Sequence, residues 1–251
     1  MTLSKNECIQ AFNEWKNAKY DYSKIKELIN PQFAFSINRE QIDWVNIYNR
    51  YKNFHIYIGI HDNELILIIV PLDVNGQEIK LPSYVFSSLL PLSQELNLVE
   101  KEEITKIKTT VLSQDLRIIS YTESFKQPAE NEPAIDQKTA AQEIETWTSG
   151  CLDWFYLECN EFNGKRIFET FTVPFADLGK PDEAISQVVS LFAFKYSPLY
   201  QRQIPTLIFV SVNILLLQAQ LIEPPIDTNT YDWSQPCPPF CKDESTFQLL
   251  E

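Results

Sequence analysis

Residues 56–70 read IYIGIHDNELILIIV, and this stretch decides the fold class. Apolar side chains alternate on both sides of Asp62-Asn63, a dipeptide that tolerates the positive φ angles of a two-residue hairpin loop. The stretch therefore predicts a β-hairpin in which His61 lies opposite Glu64. Because both faces of the hairpin are largely apolar, we expect it to lie inside a sheet that is covered on both sides.

Helical patterns surround this hairpin. On its N-terminal side, Ser4 and Glu7 have the spacing of a capping box, which predicts a helix start. A second helical pattern follows Asn38, and Pro82 predicts the start of a helix that runs through Leu90. Segments 104–112 and 116–122 then predict two more strands. The order is helix, hairpin, helix, hairpin.

The second half of the chain resembles the first at a displacement of 103 positions, at which Trp44 aligns with Trp147 and Val70-Pro71 with Val173-Pro174. The shared hydrophobic pattern suggests a tandem duplication. It predicts a helix at 137–148, a hairpin at 154–173 around Asn163-Gly164, a helix near 184–194 and strands from 206. We therefore expect an α+β fold of two similar helix–hairpin–helix–hairpin units with mostly antiparallel sheets.

The prolines and polar runs divide the chain into four segments. Residues 1–122 contain the N-terminal helices and the first unit, 123–137 a polar linker, 138–223 the second unit, and 224–251 an acidic, proline-rich C-terminal tail. The tail carries Tyr231, Trp233 and Phe240, through which it can pack.

The composition restricts the class of partner. The net charge is −13, with 34 acidic against 21 basic residues, so nucleic acids and membranes are disfavoured. An acidic surface can simply keep a protein soluble, or it can face a basic protein partner. The N-terminus lacks the apolar core of a signal peptide, and the 5 cysteines are an odd number. We therefore expect a cytoplasmic protein.

Two local patterns could carry chemistry. Cys237-Pro-Pro-Phe-Cys241 could form a small disulfide ring or a redox pair, bind a soft metal ion, or be two ordinary thiols. In the predicted second hairpin, Glu158 lies opposite Glu169, and like charges in that arrangement destabilise a sheet. Such a pair could bind a cation or share a proton, or water could simply relax it.

The chain has no GxGxxG, P-loop, HExxH or nucleophile-elbow motif. The sequence therefore favours a non-enzymatic intracellular protein of the adaptor, chaperone or inhibitor type, without a cofactor, that binds its partner through an acidic surface bearing aromatic side chains. The alternatives are a metal-dependent enzyme or binder, or a redox-responsive protein. The predicted binding residues are Glu158, Glu169, Tyr231, Trp233 and Phe240, and the predicted redox residues are Cys237 and Cys241.

Overall fold

The computed structural model describes residues 1–93, 95–98, 105–112, 118–126, 135–178, 186–212, 230–232, 234–240, 247 and 249–250. In chain order, its elements are β1 (Thr2–Ser4), α1 (Lys5–Ala18), α2 (Tyr22–Leu28), β2 (Phe33–Asn38), α3 (Arg39–Tyr48), β3 (Asn53–His61), β4 (Glu64–Val70), β5 (Ser83–Pro91), β6 (Thr105–Leu112), β7 (Ile118–Lys126), α4 (Gln137–Phe162), β8 (Thr170–Pro174), a 3-10 helix (Phe175–Leu178), β9 (Gln187–Ser197), β10 (Arg202–Val212), β11 (Thr230–Tyr231) and β12 (Gln235–Cys237).

One antiparallel sheet of 10 strands organises the described chain. Its order is β11-β10-β9-β2-β5-β4-β3-β8-β12, and β1 also pairs with β5. Strands β6 and β7 form a separate two-stranded hairpin. The α+β class is confirmed. Both halves of the chain supply strands to the same sheet, because β2 pairs with β9 and β3 pairs with β8.

The sheet curls so that its two ends approach each other. Strand β11 pairs with β10 at one end, and β12 pairs with β8 at the other. Ser234 lies between β11 and β12, where its hydroxyl accepts a hydrogen bond from the Leu207 N–H at 2.7 Å and donates one to the Leu207 carbonyl at 3.0 Å. A short segment of chain therefore connects the two ends of the sheet.

The β3–β4 hairpin forms as the sequence predicts. Asp62 and Asn63 have φ angles of 50° and 62°, and His61 lies opposite Glu64. Ile58 and Leu67 face the inner side of the sheet, where they join its large apolar core. Tyr57 belongs to a second core on the opposite side. The prediction that both faces are covered is confirmed.

Aromatic rings fill the inner core. Trp147 and Phe155 of α4 are buried against Phe168 and Phe192, and the Trp147 and Phe192 rings stack with centroids 4.8 Å apart. The outer core places α1 against the sheet, with the C-terminal residues beside it. It contains Phe12, Tyr57, Tyr84, Phe247 and Leu250.

Helix α1 begins at the predicted capping box. The Glu7 N–H donates to the Ser4 hydroxyl at 3.3 Å, and the Glu7 carboxylate accepts from the Ser4 N–H at 2.7 Å. Further along the helix, Trp15 donates its indole N–H to the Phe168 carbonyl at 2.9 Å. Because Phe168 is in the inner core, this bond fixes α1 to residues that lie far away in the sequence.

The two predicted helices near 82–90 and 184–194 are wrong. The first region forms β5, which pairs with both β4 and β2, and the second forms β9, which pairs with β2 and β10. Both segments are rich in Val, Phe and Tyr, and these residues pack well on a sheet surface that has neighbours on each side. Pairing within the sheet therefore decides the structure, and Pro82 does not start a helix.

The predicted hairpin at 154–173 is also wrong, because residues 137–162 form α4. Asn163 has a φ of 52° and ends the helix, and the Gly164 N–H bonds to the Glu158 carbonyl at 2.9 Å. Residues that adopt positive φ angles can end a helix as readily as they turn a hairpin. Here they end a helix.

The tandem duplication is not confirmed. Helix α3 has 10 residues, whereas α4, which would be its counterpart, has 26. The β3–β4 hairpin of the first half would correspond to a segment of the second half that begins as helix. The boundaries at 122, 137 and 223 stay predictions, and residues 127–134 of the linker lie outside the described residues. The described parts of segment 224–251 pack into the protein: Thr230, Asp232 and Leu250 are buried.

None of the helices that the structure describes is both long enough and apolar enough to span a membrane.

Gly164 provides a test of the helix end. It has a φ of 67°, and a Cβ atom added there would lie 2.6 Å from the Lys19 carbonyl oxygen. We expect Gly164→Ala to lower the free energy of unfolding by at least about 1–2 kcal/mol, since the left-handed conformation strains any residue with a Cβ. Urea-induced unfolding followed by circular dichroism measures the change.

Gly150 in the interior of α4 is the matched control, because a Cβ added there meets no atom within 4 Å. We expect Gly150→Ala to stabilise the protein by about 0.5–1 kcal/mol. If both variants unfold at the urea concentration of the wild type, the assigned end of α4 is wrong.

Candidate functional site

A groove of about 610 Å³ lies between α1, α2 and the tip of the β3–β4 hairpin. The groove is acidic, because its lining contains three carboxylates and one lysine. The lining residues are Glu14, Asn17, Ala18, Asp21, Lys24, Glu27, Leu28, Ile60 and Asn63.

The ends of two helices place the charged groups of the groove. Asp21 caps α2, and its carboxylate accepts hydrogen bonds from the N–H groups of Ser23 at 2.9 Å and Lys24 at 3.4 Å. Glu14 is exposed on α1, one turn before the helix ends, and Glu27 is exposed on α2. The carboxylates therefore lie on fixed elements that face a common space.

Apolar side chains contribute the deeper part of the lining. Ala18 and Ile60 are buried, and Leu28 is half-buried against the inner core. Among the described residues, no histidine, cysteine, serine or tyrosine lines the groove. The lining therefore combines carboxylates with apolar surface.

The structure separates the two predicted carboxylates. Glu158 lies near the end of α4 with its side chain 2% exposed, and its two oxygens accept hydrogen bonds from Arg166 at 2.9 and 2.6 Å. Glu169 precedes β8 and pairs with the Lys19 ammonium at 2.5 Å. Because Glu158 lies in α4 and not in a strand, the repulsive cross-strand pair expected from the sequence does not form, and each carboxylate pairs with a cation.

The other predicted residues are spread over several elements. Tyr231 is buried in the inner core, opposite Phe209 of β10, so it lies away from the surface. Phe240 is half-buried, with its ring 5.6 Å from that of Tyr200. Cys237 is disulfide-bonded. Trp233 and Cys241 lie outside the described residues, so the roles proposed for them stay predictions.

Three further cysteines carry free thiols. Burial raises the pKa of Cys8 and of Cys151 to about 12, and burial also raises the pKa of Cys159. The thiolate is the reactive form of cysteine, and it is scarce at neutral pH when the pKa is this high. The buried thiols of Cys8 and Cys151 therefore act as small apolar groups.

Sequence reasoning missed a carboxyl pair between α4 and the segment after β11. Asp232 is 2% exposed and accepts hydrogen bonds from the Lys195 ammonium at 2.9 and 3.0 Å. It also hydrogen-bonds to Glu143. Burial, and then the charge of Asp232, raise the pKa of Glu143 to about 8, and burial raises the pKa of Asp232 as well, so the pair keeps a shared proton at neutral pH.

A buried polar cluster holds the C-terminal residues. Glu78 accepts hydrogen bonds at 2.7 Å from the Tyr57 hydroxyl and at 2.8 Å from the Leu249 N–H, and it contacts Nδ1 of His55 at 2.7 Å. The Phe247 ring covers His55, with centroids 4.2 Å apart. These contacts attach the C-terminal residues Phe247 and Leu249 to the outer side of the sheet.

Only part of this arrangement had a signal in the sequence. Asp21 is a residue type that commonly caps a helix, so the start of α2 has a signal in the sequence. No local pattern in the sequence shows that Ile60 and Asn63 line the same groove as Asp21. Glu143 and Asp232 are likewise far apart in the chain.

Comparison with protein-family models, curated proteins and solved structures found no match. In the part of the chain that the structure describes, no group of three His, Cys, Asp or Glu residues could hold a metal ion.

Glu143 makes stability depend on pH. Its pKa rises from an ordinary value of 4.5 to about 8, so the folded protein keeps a proton that the unfolded chain releases. The retained proton stabilises the fold at low pH, and this stabilisation is lost as the pH rises from about 4.5 to 8. We expect the difference in melting temperature between Glu143→Gln and wild type to shift in favour of the variant by about 2–4 °C as the pH rises from about 5 to 8. A change in the free energy of unfolding on the order of 1 kcal/mol would produce this shift.

Glu145→Gln is the control, because Glu145 is exposed on the same helix. Its melting temperature should follow the wild-type pH dependence. Thermal unfolding monitored at half-unit pH steps makes the comparison, and an unchanged difference between Glu143→Gln and wild type over this range would contradict the shared proton.

Proposed function

We propose that this protein is a non-enzymatic binding protein, and that the groove between α1, α2 and the β3–β4 hairpin takes a basic segment of a partner protein. The groove itself carries the proposal, because it combines three carboxylates with an apolar lining on fixed elements. This is the chemistry that suits lysine and arginine, whose apolar stems pack on apolar surface while the charged ends meet carboxylates.

The charge of the whole chain supports a basic partner. The net charge of −13 produces an attractive field for cations, which speeds their encounter with an acidic groove. The same charge opposes binding of nucleic acids and of anionic membranes. Since exposed charges supply most of this attraction, we expect binding to weaken as salt rises.

The alternatives have weaker support. A metal-dependent activity at Glu158 and Glu169 would have to displace Arg166 and Lys19, which already neutralise these carboxylates. A redox role for Cys237 and Cys241 remains a second proposal, supported by the disulfide at Cys237. The free thiols Cys8, Cys151 and Cys159 suit the proposed cytoplasmic location, and the disulfide is less typical of that compartment.

Charge reversal in the groove tests the main proposal. The double variant Glu14→Lys with Glu27→Lys replaces two exposed carboxylates and leaves the cap residue Asp21 intact. The probe is a fluorescent peptide of alternating arginine and alanine, and fluorescence anisotropy at low salt measures its binding. We expect the variant to bind it about tenfold more weakly than wild type, since each exposed ion pair contributes up to about 1 kcal/mol.

The control reverses Glu95 and Glu145, which are exposed away from the groove, so that the net charge changes equally. It should lose only the small part of the affinity that depends on net charge. The same three proteins, tagged and recovered from the native host at low salt, then show whether a basic partner depends on the groove. If both double variants lose binding equally, the groove has no specific role.

A further inference from the structure

A second charged site lies where the end of α4 meets the start of β10. Here two arginine side chains approach one carboxylate. Arg166 donates from Nε and Nη2 to both oxygens of Glu158, at 2.9 and 2.6 Å. Arg202 places its Nη1 atom 3.5 Å from Glu158 Oε1. Among the described residues, Glu158 is the one carboxylate within 4 Å of either guanidinium.

In the described part of the chain, two guanidinium charges therefore stand against one carboxylate. Arg166 donates hydrogen bonds to both oxygens of Glu158. The Nη1 atom of Arg202 is buried without a hydrogen-bond partner among the described residues. Burial lowers the pKa of Arg202 first, and the charge of Arg166 lowers it further, while Glu158 opposes both effects. The two guanidinium groups therefore repel each other across a carboxylate that can neutralise only one.

Aromatic rings hold the two arginines in place. The guanidinium carbon of Arg166 lies 3.3 Å from the centre of the Phe162 ring, and that of Arg202 lies 5.9 Å from the centre of the Tyr200 ring. Phe240 packs against Tyr200 in turn. The side chains of Arg166 and Arg202 stay 34% and 25% exposed, so part of each faces solvent. The pair is thus both fixed and accessible.

We propose that Arg166 and Arg202 form a binding site for a small oxyanion, a phosphate or a carboxylate group, at the solvent-facing side of their guanidinium pair. Each guanidinium presents several N–H donors in one plane, a geometry that fits the oxygens of both anions. A bound oxyanion would supply the missing negative charge. The site is separate from the acidic groove and does not depend on its function.

Two matched variants test this site. Arg202→Gln removes the arginine that lies farther from Glu158 and leaves the ion pair of Glu158 with Arg166 intact. Arg39→Gln removes an exposed arginine that pairs with its own carboxylate, Asp43, at 2.9 Å. The full chain is titrated with inorganic phosphate, with sodium acetate and with sodium chloride at equal ionic strength. Nuclear magnetic resonance of the arginine side-chain Nε–Hε groups reports binding.

We expect saturable shifts of the Arg166 and Arg202 signals with phosphate, acetate or both, and no saturable shift with chloride. Saturation by phosphate alone assigns a phosphate ligand, and saturation by acetate as well assigns a broader oxyanion site. Arg202→Gln should weaken binding at least tenfold, as read from the Arg166 signal, whereas Arg39→Gln should bind as wild type does. The absence of saturation in wild type, or equal affinity in a folded Arg202→Gln variant, overturns the proposal.

Discussion

The connection between the two ends of the sheet supports the rest of the structure. The chain from Thr230 to Cys237 pairs first with β10 and then with β8, so one short segment holds the edges of a curled sheet together. The Ser234 hydroxyl bonds to both backbone groups of Leu207, which satisfies polar groups that would otherwise be buried without partners. Asp232 in the same segment binds Lys195 of β9. Without this segment, the curled sheet would expose edges on both sides and its inner core would open to water.

The curl also explains where the charged sites lie. The inner core takes the aromatic side of α4, from Trp147 to Phe155, and the polar end of the same helix continues past the core. Glu158 is therefore buried at the margin of the core, where arginines from two other parts of the chain reach it. The acidic groove forms on a different principle, because α1, α2 and the hairpin tip meet there without filling the space between them. One site results from burial of a charge, and the other from incomplete packing.

The sequence predicts the elements whose local signals agree with their surroundings. The hairpin around Asp62-Asn63 has alternating apolar residues, a suitable loop and apolar neighbours, and it forms in the expected register. Helix α1 begins at its capping box. The predictions fail where one local signal is compatible with two kinds of structure. Asn163-Gly164 ends a helix instead of turning a hairpin, and the residues after Pro82 form a central strand instead of a helix. The sequence singles out Glu158 but pairs it with Glu169. The rest of the two sites could not be predicted, because Ile60 and Asp21 line one groove, and Arg202 approaches Glu158, only in the folded chain.

The order of the strands has a consequence for how the protein forms during synthesis. Strand β2 has β9 as one of its neighbours and β3 has β8, so the first half of the chain contains strands whose partners are made later. A nascent chain that ends before β8 exposes the apolar edges of β2 and β3. Contacts between residues so distant in sequence also form slowly, because a long loop must close first. The emerging chain must therefore remain soluble, or be shielded, until its C-terminal half has left the ribosome.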